Sequence, residues 1–162
     1  MIFSKSFGYA VRGVLYIALM QDEKRYVQVE EIAEKLAVPR HFMGKILKNL
    51  VKEGVISSIK GPSGGFSVND QTLQFTLYRI FAITDGLDTF HNCVLRVKEC
   101  NSTNPCPMHT HMEDIKSKMK AVLIDTTFND LLSENKDEFI KSISTEADGF
   151  GFDEFIFSKE VY

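Results

Sequence analysis

No stretch of this sequence is apolar for long enough to cross a membrane. The best candidate, Val14 to Met20, runs seven residues between Arg12 and Gln21, where about twenty are needed. The N-terminus lacks a basic segment followed by a cleavable apolar core, so the chain is expected in the cytoplasm, with no membrane partner. Only three cysteines occur, all between Cys93 and Cys106. An odd, clustered set does not make a disulfide framework and points to metal or redox chemistry. No catalytic pair, nucleophile elbow or phosphate loop stands out. The glycine-rich run Gly61-Pro62-Ser63-Gly64-Gly65 joins two short apolar runs instead of opening a helix, so it is no nucleotide loop, and an enzyme is not expected. Tryptophan is absent beside thirteen phenylalanines, an imbalance that decides nothing.

Net positive charge is also missing: the formal charge is −3. Its distribution is uneven, however. Lys35, Arg40, Lys45, Lys48, Lys52 and Lys60 face one acid, Glu53, so the segment 35–60 carries +5 and the remainder −8. A basic face on an acidic body can neutralise phosphates, although charge alone equally describes a solvated helix. With 162 residues, 44% hydrophobic and 25% charged, the chain has an ordinary soluble composition for one domain plus an appended element.

Hydrophobic spacing predicts a mostly buried helix from Ser4 to Met20, with Phe7, Ala10, Val11, Val14, Leu15 and Ala18 inward and Ser6 as its cap. A short helix from Val29 to Leu36 turns at Ala37 and Val38 into a second, which Pro39 opens and Gly54 stops. On that second helix Phe42, Met43, Ile46, Leu47, Leu50 and Val51 form the inward stripe. Arg40, His41, Gly44, Lys45, Lys48 and Lys52 lie outward. Two helices joined by a tight turn, the second basic on its free face, make a helix-turn-helix pattern. Val55 to Lys60, the glycine-rich turn and Phe66 to Val68 read as a hairpin, and a hairpin after a recognition helix is a wing. Thr76 caps a helix from Leu77 to Thr84, expected beneath the wing. The segment 88–107 has no clean period. Met108, Met112, Ile115, Met119 and Val122 then form a seam over about two heptads, suited to a dimer helix or a core face. Thr127 caps a last helix, Phe128 to Leu132. From 133 to 162 eight acids meet three lysines, with Phe150, Phe152, Phe155 and Phe157 among them.

The fold class expected is mainly α with a small β-hairpin wing: a winged helix-turn-helix plus a long dimerisation helix. The divisions are 1–86 for the DNA-binding domain, 87–111 for the cysteine loop, 107–132 for the dimerisation helix region and 133–162 for an acidic, aromatic tail.

Gly8-Tyr9-Ala10-Val11-Arg12, Glu31-Ile32-Ala33 and Ser57-Ser58-Ile59-Lys60-Gly61-Pro62-Ser63-Gly64-Gly65-Phe66 resemble the Rrf-type regulators, the IscR, NsrR and CymR kind. The wing motif, a basic residue before Gly-Pro-x-Gly-Gly-aromatic, is the most specific part, and the resemblance covers about 1–132. It implies a homodimer on double-stranded, pseudo-palindromic operator DNA, with the recognition helix in the major groove and the wing in the minor groove. Carried over, Arg40, His41, Gly44 and Lys45 meet bases and phosphates, with Lys48 on the same face. Ser58, Lys60 and Gly64 sit at the wing. Gly44 stands where the IscR type has a glutamate that discriminates operators, and without a side chain it cannot read a base.

The cysteine loop runs Cys93, six residues, Cys100, five residues, Cys106, two residues, His109. Three thiolates and an imidazole complete a ligand set, and iron in a cluster prefers thiolate sulfur with histidine as an accepted substitute. Cys106 precedes the seam helix, whose free N–H groups favour thiolates. Cluster-binding relatives use three cysteines here, and His109 resembles the histidine that the IscR type adds. The NsrR type takes an acid from the first helix, where this chain has Gly8. The first gap is one residue longer than in the IscR type. An iron–sulfur cluster is therefore expected, [2Fe-2S] ahead of [4Fe-4S]. Zinc, redox thiols and simply buried cysteines remain open alternatives. The function expected is a sequence-specific regulator, a repressor, whose operator binding follows redox state, nitric oxide or cluster status. The rivals are a cluster-free thiol-based or small-molecule-responsive regulator and a small electron-transfer or cluster-carrier protein.

Overall fold

The computed structural model describes residues 3–95, 97–134 and 142. Except for 133, 134 and 142, the acidic tail lies outside them. Helix α1 (Lys5–Met20) is capped by Ser4, whose hydroxyl accepts from the Phe7 N–H at 3.1 Å. The cap is thus Ser4 and not Ser6, because only a side chain just before the helix can reach the free N–H groups of its first turn. Ser4 is itself held by Asp85, through N–H and hydroxyl contacts of 2.9 and 2.5 Å. Phe7, Ala10, Val14, Leu15 and Ile17 are buried, which makes α1 the central helix of the core.

Helix α2 (Val29–Lys35) and helix α3 (Arg40–Lys52) follow. The turn between them is a Schellman cap: Ala37 N–H donates to Glu34 O at 3.1 Å and Val38 N–H to Ala33 O at 2.9 Å. Pro39 stands as the N-cap of α3, one position before the first helical residue. The inward stripe of α3 is Met43, Ile46, Leu47 and Leu50. It packs on α1 where Gly13 removes side-chain bulk, an added Cβ there lying 3.4 Å from Leu47 Cδ2. Phe42, expected inward, is 51% exposed. It lies at the edge of the stripe, and its ring rests on His41 at 4.4 Å.

Strands β1 (Ser57–Ile59) and β2 (Gly65–Ser67) pair antiparallel, with Ser58 opposite Phe66. The strands are shorter than the sequence suggested. Val55 and Ile56 are instead buried in the core, where apolar burial outweighs strand pairing. Val27 bridges the other edge of β2, exchanging N–H···O bonds of 2.9 and 2.8 Å with Phe66.

Helix α4 (Asp70–Gln74) had no sequence counterpart, although Asn69 and Thr72 form a capping box. Thr72 Oγ1 also donates to Val55 O at 2.8 Å, tying α4 to the segment entering β1. Helix α5 (Leu77–Thr84) packs on α1, α3 and α7 and not beneath the wing, because Ile80 and Phe81 complete the core that α1 opens. Helix α6 (Asp88–His91) is a single turn. Helix α7 (His109–Asp125) begins two residues after Pro107, and helix α8 (Phe128–Glu134) packs against α4.

Candidate metal centre and nucleic-acid interface

The cysteines lie in the irregular segment between α6 and α7. The three sulfurs fall within 4.8 Å of one another. Cys93 Sγ and Cys106 Sγ are 3.6 Å apart, and Cys100 Sγ lies 3.1 Å from His109 Nδ1. The compact set is the three thiols; His109 joins it through Cys100. The Cys106 N–H donates to Cys100 Sγ at 3.4 Å, and the His109 N–H to Cys106 O at 2.9 Å, so the ligand candidates are tied to the start of α7. Asn101 folds the loop between Cys100 and Cys106, its side chain accepting from the Thr103 and Asn104 N–H groups at 2.9 and 2.8 Å. Lys116 on α7 donates to Asn92 O and pins the other end of the loop.

A cavity of about 360 Å³ adjoins the thiols, walled by Phe90, Val94, Met108 and Met112. The Val97 N–H, with weaker donors from Cys106, Leu95 and Cys100, holds the Cys93 thiol down at about 7 against the opposing effect of burial. Cys100 behaves oppositely. The Cys106 N–H favours its thiolate, but burial and the neighbouring thiols Cys106 and Cys93 outweigh that and raise it. Thiols this close cannot all ionise unless a cation is shared among them. Three soft sulfurs and an imidazole nitrogen fit an iron–sulfur or other thiophilic metal group.

The second site is the surface that α3 and the wing present. Arg40, His41, Lys45 and Lys48 are exposed along α3, and Gly44 is half-buried with Val29 Cγ2 3.7 Å from where its Cβ would be. Arg40 pairs with Glu30 of α2, a neighbour that the sequence pattern did not single out. Ser58 and Lys60 are exposed on the wing. Gly64, by contrast, is buried: a Cβ there would stand 2.3 Å from Ile59 O, so its glycine closes the hairpin. The tip is oriented by Gln28, whose side-chain amide donates to Pro62 O at 2.8 Å. Behind this surface Glu31 joins α1 to α2, accepting from Tyr16 Oη at 2.8 Å and Lys24 Nζ at 2.8 and 2.9 Å.

Two helices at a capped turn, a two-stranded wing and a long helix beyond define a winged helix-turn-helix regulator, the class whose second helix enters DNA. The chain belongs to the Rrf2 family, described as iron-dependent transcriptional regulators, whose profile matches residues 3–134. An HTH-type transcriptional regulator of Aquifex aeolicus is 36% identical over 135 residues, 82% of this chain and 92% of its own. The HTH-type transcriptional regulator IscR of Vibrio atlanticus is 26% identical, over 79% of this chain and 73% of its own. Among solved structures, CymR, the global cysteine regulator of B. subtilis, superposes with a TM-score of 0.66 at 21% identity, covering 81% of this chain and 95% of its own. T. potens IscR does so with 0.64 at 20%, covering 92% and 94%. Among the described residues no helix is long and apolar enough to cross a membrane.

Proposed function

We propose that this Rrf2-family transcriptional regulator is a cytoplasmic homodimeric repressor whose operator binding is set by an iron–sulfur cluster on Cys93, Cys100, Cys106 and His109. The observation that carries this is the convergence of three sulfurs within 4.8 Å, with His109 Nδ1 3.1 Å from Cys100, at the foot of α7. Two close pairs, Cys93 with Cys106 and Cys100 with His109, suit a two-iron centre with two protein ligands on each iron, so [2Fe-2S] is preferred to [4Fe-4S]. Bound there, the group would supply a centre sensitive to oxidant, nitric oxide and iron supply.

The residues of the chain supply the rest. Arg40, His41, Lys45 and Lys48 face the major groove, with Gly44 allowing close approach, and Ser58 and Lys60 on the wing face the minor groove. Residues 1–86 form the reading domain, 87–111 the sensing loop and 107–132 the dimer region. Support for the dimer comes from α7, where Ile115 is 50% and Val122 61% exposed, an apolar seam suited to a second copy.

The experiment is a visible absorption spectrum with iron and sulfide analysis on protein purified without oxygen. Broad bands between about 300 and 600 nm with equal iron and sulfide are expected. A colourless protein, even after reconstitution, overturns the cluster. The 3.6 Å approach of Cys93 and Cys106 favours one second reading, a thiol switch. In it an oxidant such as a peroxide takes two electrons and two protons from the pair as a disulfide forms. A colourless protein that gains an intramolecular disulfide on mild oxidation, with changed operator affinity, would support it.

A further inference from the structure

His109 is the one candidate ligand with a buried atom that nothing yet explains. Its Nδ1 faces Cys100 Sγ, while its Nε2 is buried with no hydrogen-bond partner among the described residues. A buried ring nitrogen without a partner is unfavourable and calls for an explanation. One turn further along α7, Glu113 Oε2 stands 3.4 Å from that nitrogen. This is ion-pair range, but the two are misaligned for a hydrogen bond. The Glu113 side chain is 69% exposed, so small torsional changes bring its carboxylate into line, as residues four apart on a helix allow. The neighbouring cations are engaged elsewhere: Lys116 donates to Asn92 O, and Lys118 pairs with Asp114. Among the described residues the Glu113 carboxylate faces the His109 ring.

A ligating histidine binds metal through one ring nitrogen and is oriented through the other, commonly by a carboxylate. We infer that Glu113 is a positioning residue for the metal centre. It accepts a hydrogen bond from His109 Nε2–H, which fixes the neutral tautomer with its lone pair on Nδ1, on the side of Cys100 and the other thiols. Glu113 thereby keeps the ring from rotating away from the thiols. This inference rests on the metal-centre reading and adds a residue to it.

The test uses the full chain reconstituted with iron and sulfide without oxygen, beside Glu113→Ala, Glu113→Gln and, as a control on the same helix, Asp114→Ala. The readouts are the half-life of the visible absorption under excess chelator and the electron paramagnetic resonance spectrum of the reduced protein. Glu113→Ala is expected to shorten the half-life by about ten- to hundredfold and to alter the spectrum. Glu113→Gln, which keeps an acceptor oxygen without the charge, should fall between, and Asp114→Ala should match the wild type. Equal half-lives and spectra across the set overturn the role of Glu113 while leaving the centre in place. An equal loss in Asp114→Ala also overturns it, since the effect would then be general helix electrostatics. A wild-type chain that takes up neither iron nor sulfide overturns the centre and this role together.

Discussion

Ala37 holds the turn of the helix-turn-helix at φ +51, a left-handed conformation that costs an L-residue about 1–2 kcal/mol. Its side chain is exposed and contributes no packing in return. Ala37→Gly should therefore raise stability by about 0.5–1 kcal/mol, after glycine's larger loss of chain entropy is set against the relief of strain. A higher urea midpoint with an unchanged slope would show it; a lower midpoint would mean that the turn tolerates alanine without strain. Gly65 presents the opposite case. At φ +148 a Cβ would stand 2.5 Å from Val27 O, so Gly65→Ala should cost about 1–3 kcal/mol and shift the wing. Glu31 adds a pH dependence. Burial opposes its ionisation, but the hydrogen bonds from Lys24 and Tyr16 outweigh this and hold its carboxyl below the usual value of 4.5. With the folded value depressed, its stabilisation is present above about pH 4.5 and is lost as pH falls through the lower folded value. The thermal midpoint of the wild type should fall more steeply below about pH 4.5 than that of Glu31→Gln, and parallel curves would contradict this.

At the scale of elements, the exposed face of α3 and the seam of α7 make separable predictions. Lys45→Ala and Lys48→Ala should weaken binding to most duplexes, and each should flatten the dependence of log affinity on log salt by about one unit if each meets one phosphate. An unchanged slope for both would place this face away from DNA. The seam of α7 predicts assembly. Ile115→Asp removes one apolar side chain from each side of a two-fold interface, at about 1.5–3 kcal/mol per side chain. Sedimentation should show dimer affinity weakened at least a hundredfold; an unaffected dimer would move the interface off α7. Elements with punctuation were legible in the sequence. Gly54 ends α3 in a left-handed turn, Thr76 and Thr127 precede α5 and α8, and the Gly-Pro-x-Gly-Gly run marks the hairpin tip. Helix α4 was missed because five residues are too few for a period, although Asn69 and Thr72 carry its cap. The exposure of Phe42 was misjudged because a stripe's edge depends on how far neighbouring helices reach. The clustering of the three cysteines could be read from spacing, whereas Glu30 meets Arg40 only when α2 and α3 set their side chains side by side; Glu113 stands four residues after His109, a helical spacing that needed only the start of α7 to be known.

For the whole molecule, the cysteine loop and the exposed face of α3 are linked by packed helices. Helix α7 lies on α5, α5 on α1, and α1 on α3. The buried core runs from Phe7 to Phe128 and contains none of the three cysteines. Cys106→Ala should consequently abolish metal uptake yet leave cooperative unfolding intact, and a chain that no longer unfolds cooperatively would show that the loop is part of the core. The same variant separates two routes of control. If loss of the centre re-aims α7, it changes the distance between two α3 helices without altering either one. A dimer gains from meeting both half-sites together. Affinity for a full palindrome should then change by about 5- to 150-fold between the loaded wild type and Cys106→Ala, while affinity for a single half-site stays constant. If half-site affinity moves by the same factor, the signal instead travels through α5 and α1 into the recognition helix itself.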